Sequence, residues 1–189
     1  MRRALLAAAD DLLAEGGPDA LTVRAIAERA GTSTMGVYTH FGGKDGVVDA
    51  LFVEGFHRLS AAMRRVRRTA DPLADLRRCA HAYRRNALDN PTHYAVMFER
   101  PVPGHEPSDE AKTAALESLG LLEARIQQGV DAGVVDPGTE GAAGLALSVW
   151  AALHGMVSLE LHDAGPDLDR DRCYDALVDL VEAGLRHSR

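Results

Sequence analysis

The stretch that decides the fold lies between residues 22 and 41 and reads TVRAIAERAGTSTMGVYTHF. Thr22 can cap the short helix that follows it, because a threonine hydroxyl accepts a hydrogen bond from an N–H group of the first turn. Gly31 interrupts that helix, and Ser33 is placed to cap a second short helix. Two short helices joined by a tight turn that contains glycine predict a helix-turn-helix.

The spacing of apolar residues separates a buried side of this motif from an exposed one. Ala27 and Gly31 are small where the two helices must approach closely. Residues at helical spacing predict a shared core, which consists of Leu12, Leu21, Ile26, Val37 and Phe41. The other side chains of the second helix are predicted to face solvent, namely Thr34, Met35, Tyr38, Thr39 and His40.

Helical spacing also dominates the rest of the chain, and no run of alternating β-branched residues predicts a strand. The first helix is expected to end at Gly16-Gly17-Pro18. The helices after it are expected at about 23–29, 34–40, 44–68, 73–89, 92–99, 109–132, 139–163 and 168–187. The proline-rich segment 100–107 is expected to be a loop. The sequence therefore predicts an all-α fold of about nine helices.

The 189 residues carry a formal net charge of −7, but this charge is unevenly distributed. Residues 1–85 contain 14 Arg and Lys against 10 Asp and Glu, whereas residues 86–189 contain 7 against 18. The acidic total therefore does not exclude a nucleic-acid partner for the first half. Two widely separated cysteines, Cys79 and Cys173, favour a reducing compartment, and we expect the protein to be cytoplasmic.

Several classes of protein lack support in the sequence. Charged residues interrupt the apolar ones, so no segment is expected to reach the ~20 apolar residues of a membrane helix, and no membrane partner is expected. Asp10 and Asp11 make the amino-terminal segment unlike a signal peptide. No nucleotide-binding, hydrolase or paired-carboxylate motif is present, so neither enzymatic activity nor a cofactor is expected. The histidines lack the spacing of metal ligands, so no metal site is expected.

The helix-turn-helix resembles the DNA-binding domain of the TetR family of bacterial transcriptional repressors. The shared pattern is A-I-A-x-x-A-G-x-S, then Y-x-H-F and a lysine, which here are Ala25–Ala27, Ala30–Ser33, Tyr38–Phe41 and Lys44. The resemblance implies a DNA-binding domain over residues 1–46. It also implies a helical ligand-sensing and dimerisation domain over residues 47–189.

Carried over position by position, the resemblance implies contacts with double-stranded operator DNA. Phosphate contacts are expected from Thr22, Arg24, Tyr38, His40 and Lys44. Base-edge contacts in the major groove are expected from Thr34, Met35 and Thr39, beside the capping residue Ser33, which we include among the DNA-binding residues. Because no Arg or Asn occupies this face, it favours contacts with thymine methyl groups over bidentate reading of guanine.

One departure from the family leaves an alternative open. Many members carry a longer basic amino-terminal arm, whereas only Arg2 and Arg3 precede the first helix here. Either this protein binds DNA with fewer electrostatic contacts, or its natural start lies upstream of Met1. A small-molecule-binding protein of the same fold with weak or lost DNA specificity is therefore an alternative function. An activator rather than a repressor is another.

The segment Trp150–Gly155 (WAALHG) resembles the TetR subgroup named for a Trp-His-Gly signature, and Pro91–Phe98 resembles that subgroup's P-x-x-Y-x-x-M-F segment. Trp150 and His154 are one helical turn apart and share a face. One interpretation is a pocket for a small-molecule effector, lined by Tyr83, Tyr94, Met97, Phe98, Trp150 and His154. The other interpretation is a packed core in which His154 is bonded to a carbonyl group.

The resemblance further implies a homodimer formed by the last two helices and their copies. The candidate interface residues are Leu145, Ser148, Leu177, Val178, Val181 and Leu185. A monomer that uses this apolar stripe in its own core is the alternative. The resulting hypothesis is a ligand-responsive repressor that binds a palindromic operator as a dimer and is released by a small apolar or amphipathic effector.

Overall fold

The computed structural model describes residues 1–99 and 102–186. Within these residues the chain forms nine α-helices and no strand beyond an isolated bridge between Val135 and Arg186. The helices are α1 (Arg2–Ala20), α2 (Val23–Arg29), α3 (Thr34–Phe41), α4 (Lys44–Arg65), α5 (Pro72–Asp89), α6 (Pro91–Phe98), α7 (Asp109–Asp131), α8 (Gly141–Leu161) and α9 (Arg170–Leu185). The predicted all-α fold is confirmed. The predicted loop residues 100 and 101, and residue 187 at the predicted end of the last helix, lie outside the described residues.

The helix-turn-helix forms as α2 and α3. The Thr22 hydroxyl oxygen accepts a hydrogen bond of 3.1 Å from the N–H three residues further on, as its capping role requires. After α2, Gly31 adopts φ +66°, and the Thr32 N–H donates to the Ala27 carbonyl at 2.9 Å. This left-handed glycine closes the turn as a Schellman motif does. Ser33 occupies the capping position of α3, but its side chain forms no capping hydrogen bond, so that prediction is wrong.

Two helix ends differ from their predicted positions by three residues or more, whereas the other bounds lie within two residues of the prediction. The backbone of α1 leaves helical geometry at Gly17 (φ 65°, ψ −163°), where the predicted stop lies, and one further turn continues to Ala20. The fourth helix ends at Arg65, three residues before the predicted end. Just after this second end, the Val66 carbonyl oxygen accepts a hydrogen bond from Arg125 of α7.

The chain divides into two compact units, and neither coincides with a predicted domain. The first contains Met1–His57 with the described residues of Asn90–Ala115, and the second contains Arg58–Asp89 with the described residues from Leu116 onwards. Helix α4 therefore contributes its amino-terminal part to the first unit and its carboxyl-terminal part to the second. The predicted functional division at residues 46 and 47 stays a prediction.

The core of the first unit contains most of the residues that the spacing selects. Leu21, Ile26 and Val37 are fully buried, whereas Leu12 and Phe41 are half-buried. In the second unit, α5, α8 and α9 pack against one another. Tyr174 of α9 is completely buried there, and its hydroxyl donates to the Ala80 carbonyl of α5 at 2.7 Å.

The expectation that no segment is apolar enough to span a membrane is wrong for α8. Its 21 residues meet the length and hydropathy that a spanning helix requires, since Glu160 is its only charged residue. Within the fold, however, α8 packs against both α5 and α9. Ala146, Leu153 and Val157 point into that packing and are at most 3% exposed. The core therefore accounts for part of its apolar character, since 28% of the apolar window is buried within the chain.

Candidate DNA interface and effector site

Helix α3 has a row of exposed side chains on one side and a buried residue, Val37, on the other. Val37 is fully buried and fixes the helix in the core of the first unit. Met35 and Tyr38 are 69% and 54% exposed. The complete exposed row consists of Ser33, Thr34, Met35, Tyr38, Thr39 and His40. All the base-reading candidates therefore lie in solvent on one short helix.

The candidates for phosphate contact differ in how freely they can move. Thr22 and Arg24 are exposed at the amino-terminal end of α2, although the Thr22 hydroxyl already caps that helix. Lys44 is half-buried, and its Nζ lies 3.4 Å from the Pro18 carbonyl oxygen. Lys44 thus links the start of α4 to the end of α1, in addition to any contact with DNA.

One arginine of the first unit is held by acids of the same unit. Arg29 donates to both carboxylate oxygens of Glu15, at 3.0 and 2.7 Å, and lies 4.0 Å from Asp11. The hydrogen bond and charge of Arg29 lower the pKa of Glu15, and Glu15 raises the pKa of Arg29. This pairing connects α1 to α2 and engages the exposed Arg29 with acids of its own unit.

Two contacts that the sequence did not predict lie beside the exposed row. The Arg2 guanidinium carbon lies 5.0 Å from the centroid of the Phe41 ring, so a cation of α1 stacks on the last residue of α3. Arg2 and Arg3 are the first two residues of α1, so the expectation that they precede the first helix is wrong. A Cβ atom on Gly46 would overlap the carbonyl oxygen of Phe41, so this glycine permits the close approach of α3 and α4. Gly46 could have been noticed as a glycine in the first turn of a helix, but the stacking pair had no local signal.

Three of the predicted pocket residues lie in the first unit, on α6. Tyr94 and Met97 are buried, and Phe98 is half-buried. The Phe98 ring lies edge-on to Tyr94, with ring centroids 4.9 Å apart, and edge-on to Phe56 of α4 at 5.6 Å. These contacts form an aromatic cluster between α4 and α6.

The other three predicted pocket residues meet in the second unit. The Tyr83 hydroxyl lies 3.4 Å from Nδ1 of His154, and the Trp150 ring lies 5.5 Å from the His154 ring. Tyr83 is buried, whereas Trp150 and His154 are half-buried. His154 therefore has a tyrosine hydroxyl among its neighbours, and both the pocket and the packed-core interpretation stay open. The six residues form two groups of three, and a shared pocket stays a prediction.

The candidate dimer residues divide by exposure. Val178 and Leu185 are buried within the single chain, as the monomeric alternative requires for these two. Leu145, Leu177 and Val181 are half-buried, and Ser148 is exposed. Three further leucines of α8 and α9 are strongly exposed, namely Leu147 at 53%, Leu159 at 50% and Leu180 at 72%.

The described residues contain no group of three or more His, Cys, Asp or Glu side chains that could hold a metal ion. An exposed short helix on a helix-turn-helix, followed by a helical second unit, defines a class of helical transcription regulators. The chain matches the family described as "Bacterial regulatory proteins, tetR family" over residues 5–51 and "Tetracyclin repressor-like, C-terminal domain" over residues 76–181. It belongs to the TetR family, and it is a transcriptional regulator of the TetR type. Membership of the Trp-His-Gly subgroup stays a prediction.

Individual relatives agree with this assignment. An uncharacterised HTH-type transcriptional regulator of Mycobacterium tuberculosis is 28% identical, over 97% of this chain and 81% of the relative. A protein of unknown function from Rhodococcus sp. RHA1 has 30% identity and a TM-score of 0.86, covering 98% of this chain and 95% of that one. The FadR regulator of Bacillus subtilis, solved in complex with stearoyl-CoA, has the same fold at 17% identity and a TM-score of 0.81, covering 98% of this chain and all of that one.

Proposed function

We propose that this protein is a cytoplasmic, homodimeric, ligand-responsive repressor that binds a palindromic operator and is released by a small apolar or amphipathic effector. The observation that carries the proposal is the exposed row on α3, held in place by the buried Val37. A side chain as apolar as Met35, at 69% exposure, has a physical reason to be there if it contacts a thymine methyl group in the major groove.

The exposed row and the cationic and polar residues near it would divide into base contacts and phosphate contacts. Thr34, Met35 and Thr39 are short or apolar and would read base edges. Arg24, Tyr38, His40 and Lys44 would position the helix on phosphate groups, as would Thr22 at the start of α2. One helix of eight residues reads few base pairs, so a second copy is needed for a specific site. Two copies would bind half-sites spaced by about one helical turn of DNA or a multiple of it.

The dimer would form through the faces of α8 and α9 that are exposed in the single chain. Leu177, Leu180 and Val181 share one face of α9, since they lie three and four residues apart. Leu147 and Ser148 of α8 are exposed as well. Val178 and Leu185 are buried in the chain, so they would pack within the subunit rather than contact the partner.

The effector would act on α4, because this helix belongs to both units. The group of Tyr83, Trp150 and His154 offers aromatic surface with hydrogen-bonding tips, which suits an apolar ligand with a polar end. The fold is compatible with such a ligand, since a neighbour of the same fold is described with stearoyl-CoA. A shift of α4 would change the separation of the two α3 helices, and a coupling of about 1–3 kcal/mol between the sites would suffice.

Selection of binding sites from random double-stranded DNA, followed by titration in gel-shift assays, tests the proposal. Enrichment of a palindrome is the expected result. The chain contains two lysines, which provide a matched pair of variants. Lys44→Gln should flatten the salt dependence of operator affinity by about 0.9 in log–log slope for each lost phosphate contact. Lys112→Gln, which removes the same charge from α7, should leave it unchanged.

The other outcomes separate the alternatives. No enriched sequence, together with tight ligand binding, would indicate a small-molecule-binding protein without DNA specificity. Increased transcription from a reporter that carries the operator would indicate an activator. For the effector, a ligand screen for operator release identifies candidates. Trp150→Ala should then alter the response to the ligand more than the thermal stability, and lost folding with an unchanged response would favour a role in the core.

A further inference from the structure

The carboxyl-terminal end of α4 is held by a buried arginine from α7. The last carbonyl groups of a helix lack partners within the helix and need donors from elsewhere. Nη2 of Arg125 lies 2.5 Å from the Val66 carbonyl oxygen and 3.5 Å from that of Met63. The Arg125 residue is only 7% exposed. A cation at this end of a helix also complements the helix dipole.

The chain segment that follows, residues 66–71, is held by a buried aspartate of α5. Asp75 is 3% exposed, and its carboxylate accepts hydrogen bonds from the Thr69 N–H at 2.7 Å and the Thr69 hydroxyl at 2.8 Å. Arg78 donates to the same carboxylate. Asp75 therefore fixes the segment at Thr69, while Arg125 fixes it at Val66.

Asp75 and Arg125 also face each other. Nη1 of Arg125 lies 3.9 Å from Oδ2 of Asp75, and this nitrogen is buried with no hydrogen-bond partner among the described residues. Burial alone would raise the pKa of Asp75. The two hydrogen bonds from Thr69 and the charges of Arg78 and Arg125 outweigh burial and lower it. Asp75 is thus ionised at neutral pH, and the two residues form a buried ion pair.

A buried ion pair adds little to the free energy of unfolding, so stability by itself does not explain this one. A buried ion pair can often be replaced by well-packed apolar side chains without loss of stability, whereas removal of one partner leaves a buried charge. The hydrogen bonds of Asp75 and Arg125 with the backbone are directional, so they favour one position of the backbone, which an apolar contact does not. Here the selected position is the point at which α4 ends.

We infer that Asp75 and Arg125 are positioning residues that fix the end, and hence the register, of α4. The inference rests on the proposed function, because it matters through Lys44, the first residue of the same helix. The 22 residues of α4 span about 33 Å. If α4 gained or lost a turn at Arg65, the length of helix between Lys44 and the contacts of Asp75 and Arg125 would change. The spacing that the two α3 helices require of an operator would then change with it.

Hydrogen exchange and operator selection on matched variants test this inference. Arg125→Met removes the donor, and the double variant Asp75→Leu with Arg125→Met removes the pair without leaving a buried charge. Tyr174→Phe is the control, since it removes a buried hydrogen bond of the same unit that does not involve α4. Amides of residues 63–70 should exchange at least about tenfold faster in both Arg125 variants, because a charge-assisted hydrogen bond contributes at least that factor. They should be unchanged in Tyr174→Phe.

Operator selection is then repeated with half-sites at different spacings. The wild type should prefer one spacing, and the double variant should lose about tenfold in affinity at that spacing and tolerate others. Unchanged exchange of residues 63–70 would overturn the inference. So would faster exchange with unaltered affinity and spacing preference, since the pair would then be structural only. If the wild type selects no operator, the proposed function itself fails and the role in operator spacing fails with it.

Discussion

The closeness of α3 and α4 depends on Gly46, and replacement of this residue by alanine is a stringent test of the structure. The Cβ atom of an alanine would overlap the Phe41 carbonyl oxygen and lie 2.8 Å from the Phe41 carbonyl carbon. Real Cβ atoms essentially never approach another group within 3.0 Å. Because the obstacle is backbone, no change of rotamer can relieve the overlap. The end of α3 and the start of α4 must move apart.

The size of the effect follows from two opposing contributions. Overpacking at a site that cannot relax costs about 3 kcal/mol. The higher helix propensity of alanine relative to glycine offsets at most about 1 kcal/mol of this cost. The free energy of unfolding should therefore fall by about 2 kcal/mol, which lowers Tm by about 4–8 °C for a chain of this length. Because Phe41 is the last residue of α3, specific affinity for an operator should fall as well.

Thermal unfolding followed by circular dichroism measures the change, and two other helical glycines provide controls. A Cβ on Gly120 meets nothing within 4 Å, so Gly120→Ala should raise Tm by about 2–4 °C. A Cβ on Gly55 would press on the sulfur and Cγ of Met97, a flexible side chain that can give way, so Gly55→Ala should change Tm little. A Gly46→Ala variant that melts at or above the wild-type temperature would refute the described packing of α3 on α4.

Three further predictions concern a helix cap, a buried carboxylate and a buried thiol. Thr22→Ala should lower the free energy of unfolding by about 1 kcal/mol in denaturant titrations, whereas Thr22→Ser should retain it, since only the alanine lacks the oxygen that caps α2. Asp75→Asn should be destabilising at neutral pH. Because folding lowers the pKa of Asp75, its contribution is present above the unfolded pKa of about 4 and is lost as the pH falls through the folded value. The difference in unfolding free energy from the wild type should therefore shrink below about pH 4, and a difference that grows there would contradict this assignment. Burial raises the pKa of the Cys79 thiol, so a thiol reagent at pH 8 should modify native Cys173 first, and equal rates would show that Cys79 is accessible.

The helix-turn-helix could be predicted from local sequence because its signals are local. The bounds of α2 agree with the prediction, and Thr22 caps it through an N–H only three residues away. Gly31 ends the helix by a backbone conformation that glycine adopts readily. The exposed face of α3 followed from helical spacing alone.

The features that the sequence could not provide are long-range. The hydrogen bond at the end of α4 comes from Arg125, which lies 59 positions beyond Val66 in the chain. The stacking of Arg2 on Phe41 and the contact of Tyr83 with His154 likewise join distant segments. The membrane expectation failed for a different reason, since it judged the alternation of charge along the whole chain and overlooked the single interval that α8 occupies.

The pairing of Arg29 with Glu15 has a consequence for how the protein would search a genome. Residues 1–46 contain five basic and six acidic side chains, and this pairing engages one of the five. Affinity for arbitrary DNA arises from cations that neutralise phosphates. A domain with so few of them should be weakly retained by bulk chromosome. Because a genome offers about a million or more competing sites, low retention leaves a larger fraction of molecules available. A small number of copies per cell would then suffice to occupy one operator.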